Sequence, residues 1–79
     1  MVVVDLSSIR RTAGVTQVQL AAVLNTTQGQ ISRIERQSDM LLSTLSAYLT
    51  ALGVDAQIVV MVDEQTMTYR LTPGRKPRR

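Results

Sequence analysis

The sequence predicts a mainly α-helical bundle of four to five short helices, followed by a C-terminal β-hairpin. Three observations carry that prediction. Apolar residues recur at helical spacing over residues 5–53. Residues suited to starting and stopping helices stand between those stripes. From residue 56 to residue 71 the apolar period falls to that of a strand. A chain of 79 residues holds one domain with one modest core.

The first helix is expected to start at Asp5 or Ser7, either of which can cap it, and to run to Ala13. Leu6, Ile9 and Ala13 then fall at i, i+3 and i+7 and face inward. Gly14 ends it, because a residue past a helix C-terminus often needs positive φ. Thr16 caps a second helix, Gln17–Leu24, whose inner stripe is Leu20, Ala21 and Leu24. Asn25 can take the left-handed position that closes it.

Thr27 caps a third helix that runs to about Arg36, with Ile31 and Ile34 on its apolar side. Gln28, Gly29, Gln30, Ser32 and Arg33 are small, polar or cationic. A Gly in a helix costs ~1 kcal/mol against Ala, so Gly29 suggests a backbone that something approaches closely. Residues 37–42 read equally as a turn of helix or a loop. Ser43 then caps a last helix, Thr44–Leu52, with Leu45, Tyr48, Leu49 and Leu52 on one face and Gly53 as its stop.

After Gly53, Gln57-Ile58-Val59-Val60-Met61-Val62 is β-branched and apolar, and Asp63-Glu64-Gln65 is polar. Thr66–Leu71 alternates, with Met67, Tyr69 and Leu71 on one face. This is a hairpin. A lone two-stranded hairpin is marginal in water, and Ile58–Val62 is apolar on both faces. Pairing the hairpins of two protomers into one sheet would supply the missing cover. An intramolecular lid over its own helices is the alternative.

Composition narrows the chemistry. No Cys means no disulfide and no thiolate metal site, and no His removes the usual general base and zinc ligand. Asp, Glu, Lys, Tyr and Ser form no cluster whose spacing suggests catalysis, so an enzyme is not expected, nor is a cofactor. No apolar run approaches the roughly 18 residues of a membrane helix, so no membrane partner is expected. The opening MVVVDL is too short for a signal peptide, and its abrupt start leaves room for an upstream segment. Nine Lys/Arg against six Asp/Glu give a net charge of +3. Arg70, Arg75, Lys76, Arg78 and Arg79 crowd the last ten residues.

The most informative stretch is VTQVQLAAVLNTTQGQISRIER, centred on Thr16–Arg36. Two helices meeting at a sharp turn let the first lie across a DNA backbone and the second enter the major groove. Such packing wants a small residue where the helices touch, which Ala21 supplies. It wants tolerance of positive φ at the turn, which Asn25 supplies. It also wants apolar anchors on the second helix, and Ile31 and Ile34 stand at i, i+3.

The words IRRTAGVTQ, LAAVLN and TTQGQISRIER resemble the lambda-repressor-like helix-turn-helix of the XRE/Cro/C1 repressor family over Leu6 to Leu52. The family's turn usually carries Gly and an aliphatic residue, where this chain has Asn25 and Thr26. LLSTLSAYLTALG followed by a strand is similar to antitoxins of the HigA type, which belong to type II toxin–antitoxin operons and repress their own promoters.

The resemblance implies a set of roles. Gln28 would reach a base edge, and a bidentate Gln–adenine pair discriminates by ~1–3 kcal/mol. Arg33 would bond guanine or a phosphate. Gln17 would contact a phosphate, with help from its backbone N–H. Gln30 and Ser32 would make phosphate or peripheral contacts, and Arg11 and Arg36 would serve the DNA backbone through their charge. Gly29 leaves the second reading position without a side chain. Arg10 and Glu35 would form an ion pair that orients the third helix. Each of the contacting residues would otherwise read as a solvated polar group.

The chain thus divides into a helix-turn-helix domain over 1–53, a hairpin over 54–72 that serves dimerisation, and a basic tail over 73–79. The tail is expected to be disordered, or to add DNA affinity by releasing counterions. The implied partners are double-stranded operator DNA, a second copy of the chain and, for an antitoxin, a cognate toxin. The implied location is bacterial or phage-type cytoplasm, at the nucleoid. A stand-alone XRE regulator without a toxin, and a protein-interaction module on the same fold, are the competing readings.

Overall fold

The computed structural model describes residues 4–37 and 39–73. The tail cations Arg75, Lys76, Arg78 and Arg79 lie outside the described residues, and so does the expectation attached to them. The element order is α1 (Leu6–Thr12), α2 (Gln17–Val23), α3 (Gln28–Arg36), α4 (Leu42–Leu52), β1 (Gln57–Val62) and β2 (Gln65–Arg70).

Local hydrogen bonds set most helix starts. Asp5 accepts from the Ser8 N–H and caps α1, while Ser7 donates its hydroxyl to Asp5 at 2.9 Å. Thr16 caps α2 in a reciprocal box: its Oγ1 accepts from the Gln19 N–H at 3.0 Å, and Gln19 Oε1 accepts from the Thr16 N–H at 2.9 Å. That arrangement satisfies two otherwise orphaned donors. Thr27 caps α3 through the Gln30 N–H. Gly14, Asn25 and Gly53 follow α1, α2 and α4 with φ of 78°, 57° and 77°.

All four helices feed one core of Leu6, Leu20, Ala21, Ile31, Tyr48, Leu49 and Leu52. Each large apolar side chain taken from water contributes about 1.5–3 kcal/mol. Ile9, Leu24, Ile34, Leu45, Val54 and Leu71 pack around it, partly buried.

Two expectations for the helices are corrected. Ala13 is exposed and ends α1 instead of facing inward. The inner position one turn after Leu6 belongs to Arg10, which is buried, because its charge meets a buried partner. Ser43 does not cap α4. That helix begins at Leu42 after an extended Leu41, with no side-chain cap bond. A cap contributes only ~1 kcal/mol, and Leu is a good helix former, so the helix extends past the serine. Residues 39–41 lie outside any helix.

The strands pair antiparallel with Ile58 opposite Tyr69, Val60 opposite Met67 and Val62 opposite Gln65. A two-residue turn, Asp63-Glu64, joins them, with Asp63 at φ 53°. β2 starts one residue earlier than the alternation suggests, because this short turn lets Gln65 pair directly. Ile58, Val60, Val62, Met67 and Tyr69 share one face, whereas Val59 and Met61 point to the other.

Among the described residues, the hydrogen bonds that tie the hairpin to the rest of the fold lie at its base. The Ser46 hydroxyl donates to the Leu71 carbonyl at 2.6 Å, and buried Thr72 accepts from the Ala56 N–H at 3.1 Å. Beyond that base Val59, Val60, Met61, Val62 and Tyr69 are exposed, Met61 by 76 %. The hairpin therefore does not act as a lid on its own bundle. Among the described residues, no helix is long and apolar enough to cross a membrane.

Candidate nucleic-acid interface

α2 and α3 are joined by residues 24–27. The Thr26 N–H donates to the Ala21 carbonyl at 2.9 Å, closing α2 while Asn25 turns left-handed. Ala21 is buried at this junction. A larger side chain there would push the two helices apart.

α3 is sharply two-faced. Ile31 is fully buried, and Ile34 packs against the core. At about 100° per residue, Gly29, Ser32, Arg33 and Arg36 share one outward arc. Gln28 sits at its margin on the Glu35 side, and Gln30 at the opposite margin. Gln28, Gly29, Gln30, Arg33 and Arg36 are all exposed.

Gly29 has ordinary helical φ, and a Cβ placed there would meet only Thr27 Oγ1, at 3.9 Å. Nothing within the described molecule requires glycine at this spot. Gly29→Ala is therefore expected to stabilise the fold by ~0.5–1 kcal/mol without improving DNA affinity. Urea melts beside a gel shift test this, and a rise in DNA affinity would show that the bare backbone serves no close approach.

The expected contact residues are not equally free. Arg33 makes no hydrogen bond to the described residues, and Arg11 is exposed on α1. Arg36 Nη1 donates to Ser32 Oγ at 2.7 Å, so these two act as a unit. Gln17 is half-buried and occupied: its Nε2 donates to Glu35 Oε1 at 2.9 Å, and its Oε1 accepts from Gln28 Nε2 at 3.1 Å.

Glu35 is the hub beneath this surface. Arg10 Nε donates to Glu35 Oε2 at 2.7 Å, with the two side chains 10 % and 6 % exposed. Arg10 Nη1 also donates to the Val15 carbonyl at 2.9 Å. The Tyr48 hydroxyl donates to Glu35 Oε2 at 2.6 Å. Burial pushes the Glu35 carboxyl upward, but hydrogen bonds from Arg10, Tyr48 and Gln17 together hold it below its usual range. Burial, then the bond to Glu35, pushes the Tyr48 phenol well up. The phenol is therefore a proton donor at neutral pH.

Sequence reasoning placed Tyr48 only as core and did not see its hydroxyl. A buried tyrosine hydroxyl needs a partner, and that requirement was the available signal. The capping role of Gln19 was similarly legible in the T-x-x-Q spacing.

Residues 6–59 match the family model described as Helix-turn-helix. The chain belongs to that family, and its fold is that of DNA-binding regulators. More particularly, it is an XRE-type, HigA-like member. A solved structure of "DNA bound antitoxin HigA3" is similar to it with a TM-score of 0.74 and 32 % sequence identity, covering 86 % of this chain and 91 % of that one. No curated protein matches the chain.

Proposed function

We propose that this chain is the antitoxin of a type II toxin–antitoxin operon. It acts as a cytoplasmic homodimer that binds operator DNA specifically, represses its own promoter and neutralises a cognate toxin. The observation that carries this reading is the outward face of α3, polar and cationic over a buried apolar face. The likeness to a DNA-bound antitoxin, spanning most of both chains, supports it.

In this reading α3 enters the major groove. Gln28 reads a base edge, Arg33 bonds guanine or a phosphate, and Gln30, Ser32, Arg36 and Arg11 serve the backbone. Gln17 has one amide N–H beyond its bond to Glu35, and a phosphate can accept it. The hairpins of two protomers pair through their exposed apolar residues, and the two α3 helices read half-sites ~34 Å apart.

A gel shift on the gene's own promoter tests the DNA reading. Wild-type protein should bind with an affinity that falls steeply as salt rises, because phosphate contacts release counterions. Gln28→Ala with Arg33→Ala should lose ~1–3 kcal/mol of discrimination for each bidentate contact removed. Unchanged binding by the double variant would refute these assignments. For the toxin, a toxin-sized reading frame beside the gene should arrest growth when expressed alone and cease to do so with this chain. Its absence would leave a stand-alone regulator.

A further inference from the structure

We infer that Tyr48 is a positioning residue for base recognition: through Glu35 and Gln17, its hydroxyl fixes which way the Gln28 amide presents its donor and acceptor. This rests on the proposed reading that Gln28 meets a base. The chain of bonds is continuous. Tyr48 Oη donates to Glu35 Oε2 at 2.6 Å, Gln17 Nε2 donates to Glu35 Oε1 at 2.9 Å, and Gln28 Nε2 donates to Gln17 Oε1 at 3.1 Å.

Chemistry gives the chain a direction. An ionised carboxylate accepts and never donates, so the Gln17 amide must turn its NH2 toward Glu35. Its carbonyl oxygen is then left for Gln28, which must turn its own NH2 toward Gln17. One N–H and the carbonyl oxygen of Gln28 remain for a ligand. That donor and acceptor match N7 and the N6 amino group of adenine. A Gln28 amide free to flip would offer either pattern and distinguish bases less well.

Tyr48 and Arg10 together engage one carboxylate oxygen and leave the other available to Gln17. Arg10 holds Oε2 through Nε at 2.7 Å and reaches Oε1 through Nη2 only at 3.5 Å, so it favours the same oxygen as Tyr48. Tyr48 comes from α4 with its side chain fully buried, so its ring has little freedom. Its single phenolic proton has two acceptors in reach, Glu35 Oε2 at 2.6 Å and the Leu6 carbonyl at 3.3 Å, and the shorter bond takes it. With Oε2 held by Tyr48 and Arg10 Nε, Oε1 faces Gln17.

Tyr48→Phe removes only the oxygen. The full-length protein and its variants are challenged with randomised duplexes, bound sequences are selected, and preference is scored at each base pair. Tyr48→Phe is expected to relax preference three- to tenfold at the base pairs that Gln28→Ala relaxes, and less than twofold elsewhere. In Gln28→Ala protein it should add nothing. The readout compares one protein on two duplexes, so loss of folded fraction cancels, and a merely structural role would not move it.

Full preference at those base pairs in Tyr48→Phe protein would overturn the inference, as would uniform relaxation at every position. Should Tyr48→Phe fail to fold, 3-fluorotyrosine incorporated into Tyr69→Phe protein alters the donor strength of the same hydroxyl. A shift of at least twofold confined to the Gln28-dependent base pairs is expected, and no shift refutes the role. Wild-type protein without any sequence preference would refute operator reading itself, and this inference with it. Preference that survives Gln28→Ala unchanged would refute Gln28 as the reader while leaving DNA binding intact.

Discussion

Glu35→Ala is expected to lose about 3–5 kcal/mol of folding stability, the usual cost of removing one partner of a buried ion pair. The alanine would strand Arg10 in a buried position with only the Val15 carbonyl to serve it. It would also leave the Tyr48 hydroxyl only the longer contact to Leu6. Domains of this kind are stable by roughly 5–15 kcal/mol, and small cores fall at the low end. The variant should therefore be left with only about 0–2 kcal/mol of stability, as urea titration followed by circular dichroism would show. A loss under 1 kcal/mol would mean that the pair is not needed to seat α3.

The same carboxylate gives the fold an acid limit. Its folded-state pKa lies below its ordinary value, so protonation is harder in the folded protein than in the unfolded chain. The stabilisation it provides is complete at neutral pH. It is lost as the pH drops below about 4.3, the usual glutamate value, through the depressed folded value. The urea midpoint of wild-type protein should fall across that interval, and that of Glu35→Gln should fall less. Parallel curves would place the acid sensitivity elsewhere.

Val60→Asp is expected to convert a dimer into a monomer and to weaken operator binding at least 100-fold. Val60 stands mid-strand on the apolar face, opposite Met67, with Ile58, Val62 and Tyr69 on the same side. A carboxylate there would be buried unpaired in any sheet formed by two hairpins. When two recognition helices are joined, the second half-site is met at high effective concentration, which multiplies affinity by ~10²–10⁴. The helical bundle should survive, because no strand residue belongs to the buried core. Sedimentation gives the mass, circular dichroism the helicity and a gel shift the affinity. Wild-type protein that sediments as a monomer would remove the dimer from the proposal.

Local chemistry was legible in the sequence at most positions where cause and effect lie within four residues. Thr16 and Thr27 cap the helices that follow them, Asn25 turns left-handed, and Gly53 ends α4. The apolar spacing of Ile31 and Ile34 correctly turned the polar side of α3 outward. The local rule failed at Ser43, where a capping residue was outweighed by the helix preference of Leu42. It failed again at Ala13, because periodicity counts apolar residues and cannot anticipate a buried arginine.

The sequence alone thus determined the helix-turn-helix, the hairpin and the side of α3 that faces solvent, since capping bonds and apolar periods are written in neighbouring residues. The tertiary structure decided how Gln17 and Tyr48 join the Arg10–Glu35 pair and how Gln28 reaches Gln17. Those bonds join residues 11 to 25 positions apart, and their partners exist for one another only after four helices have packed.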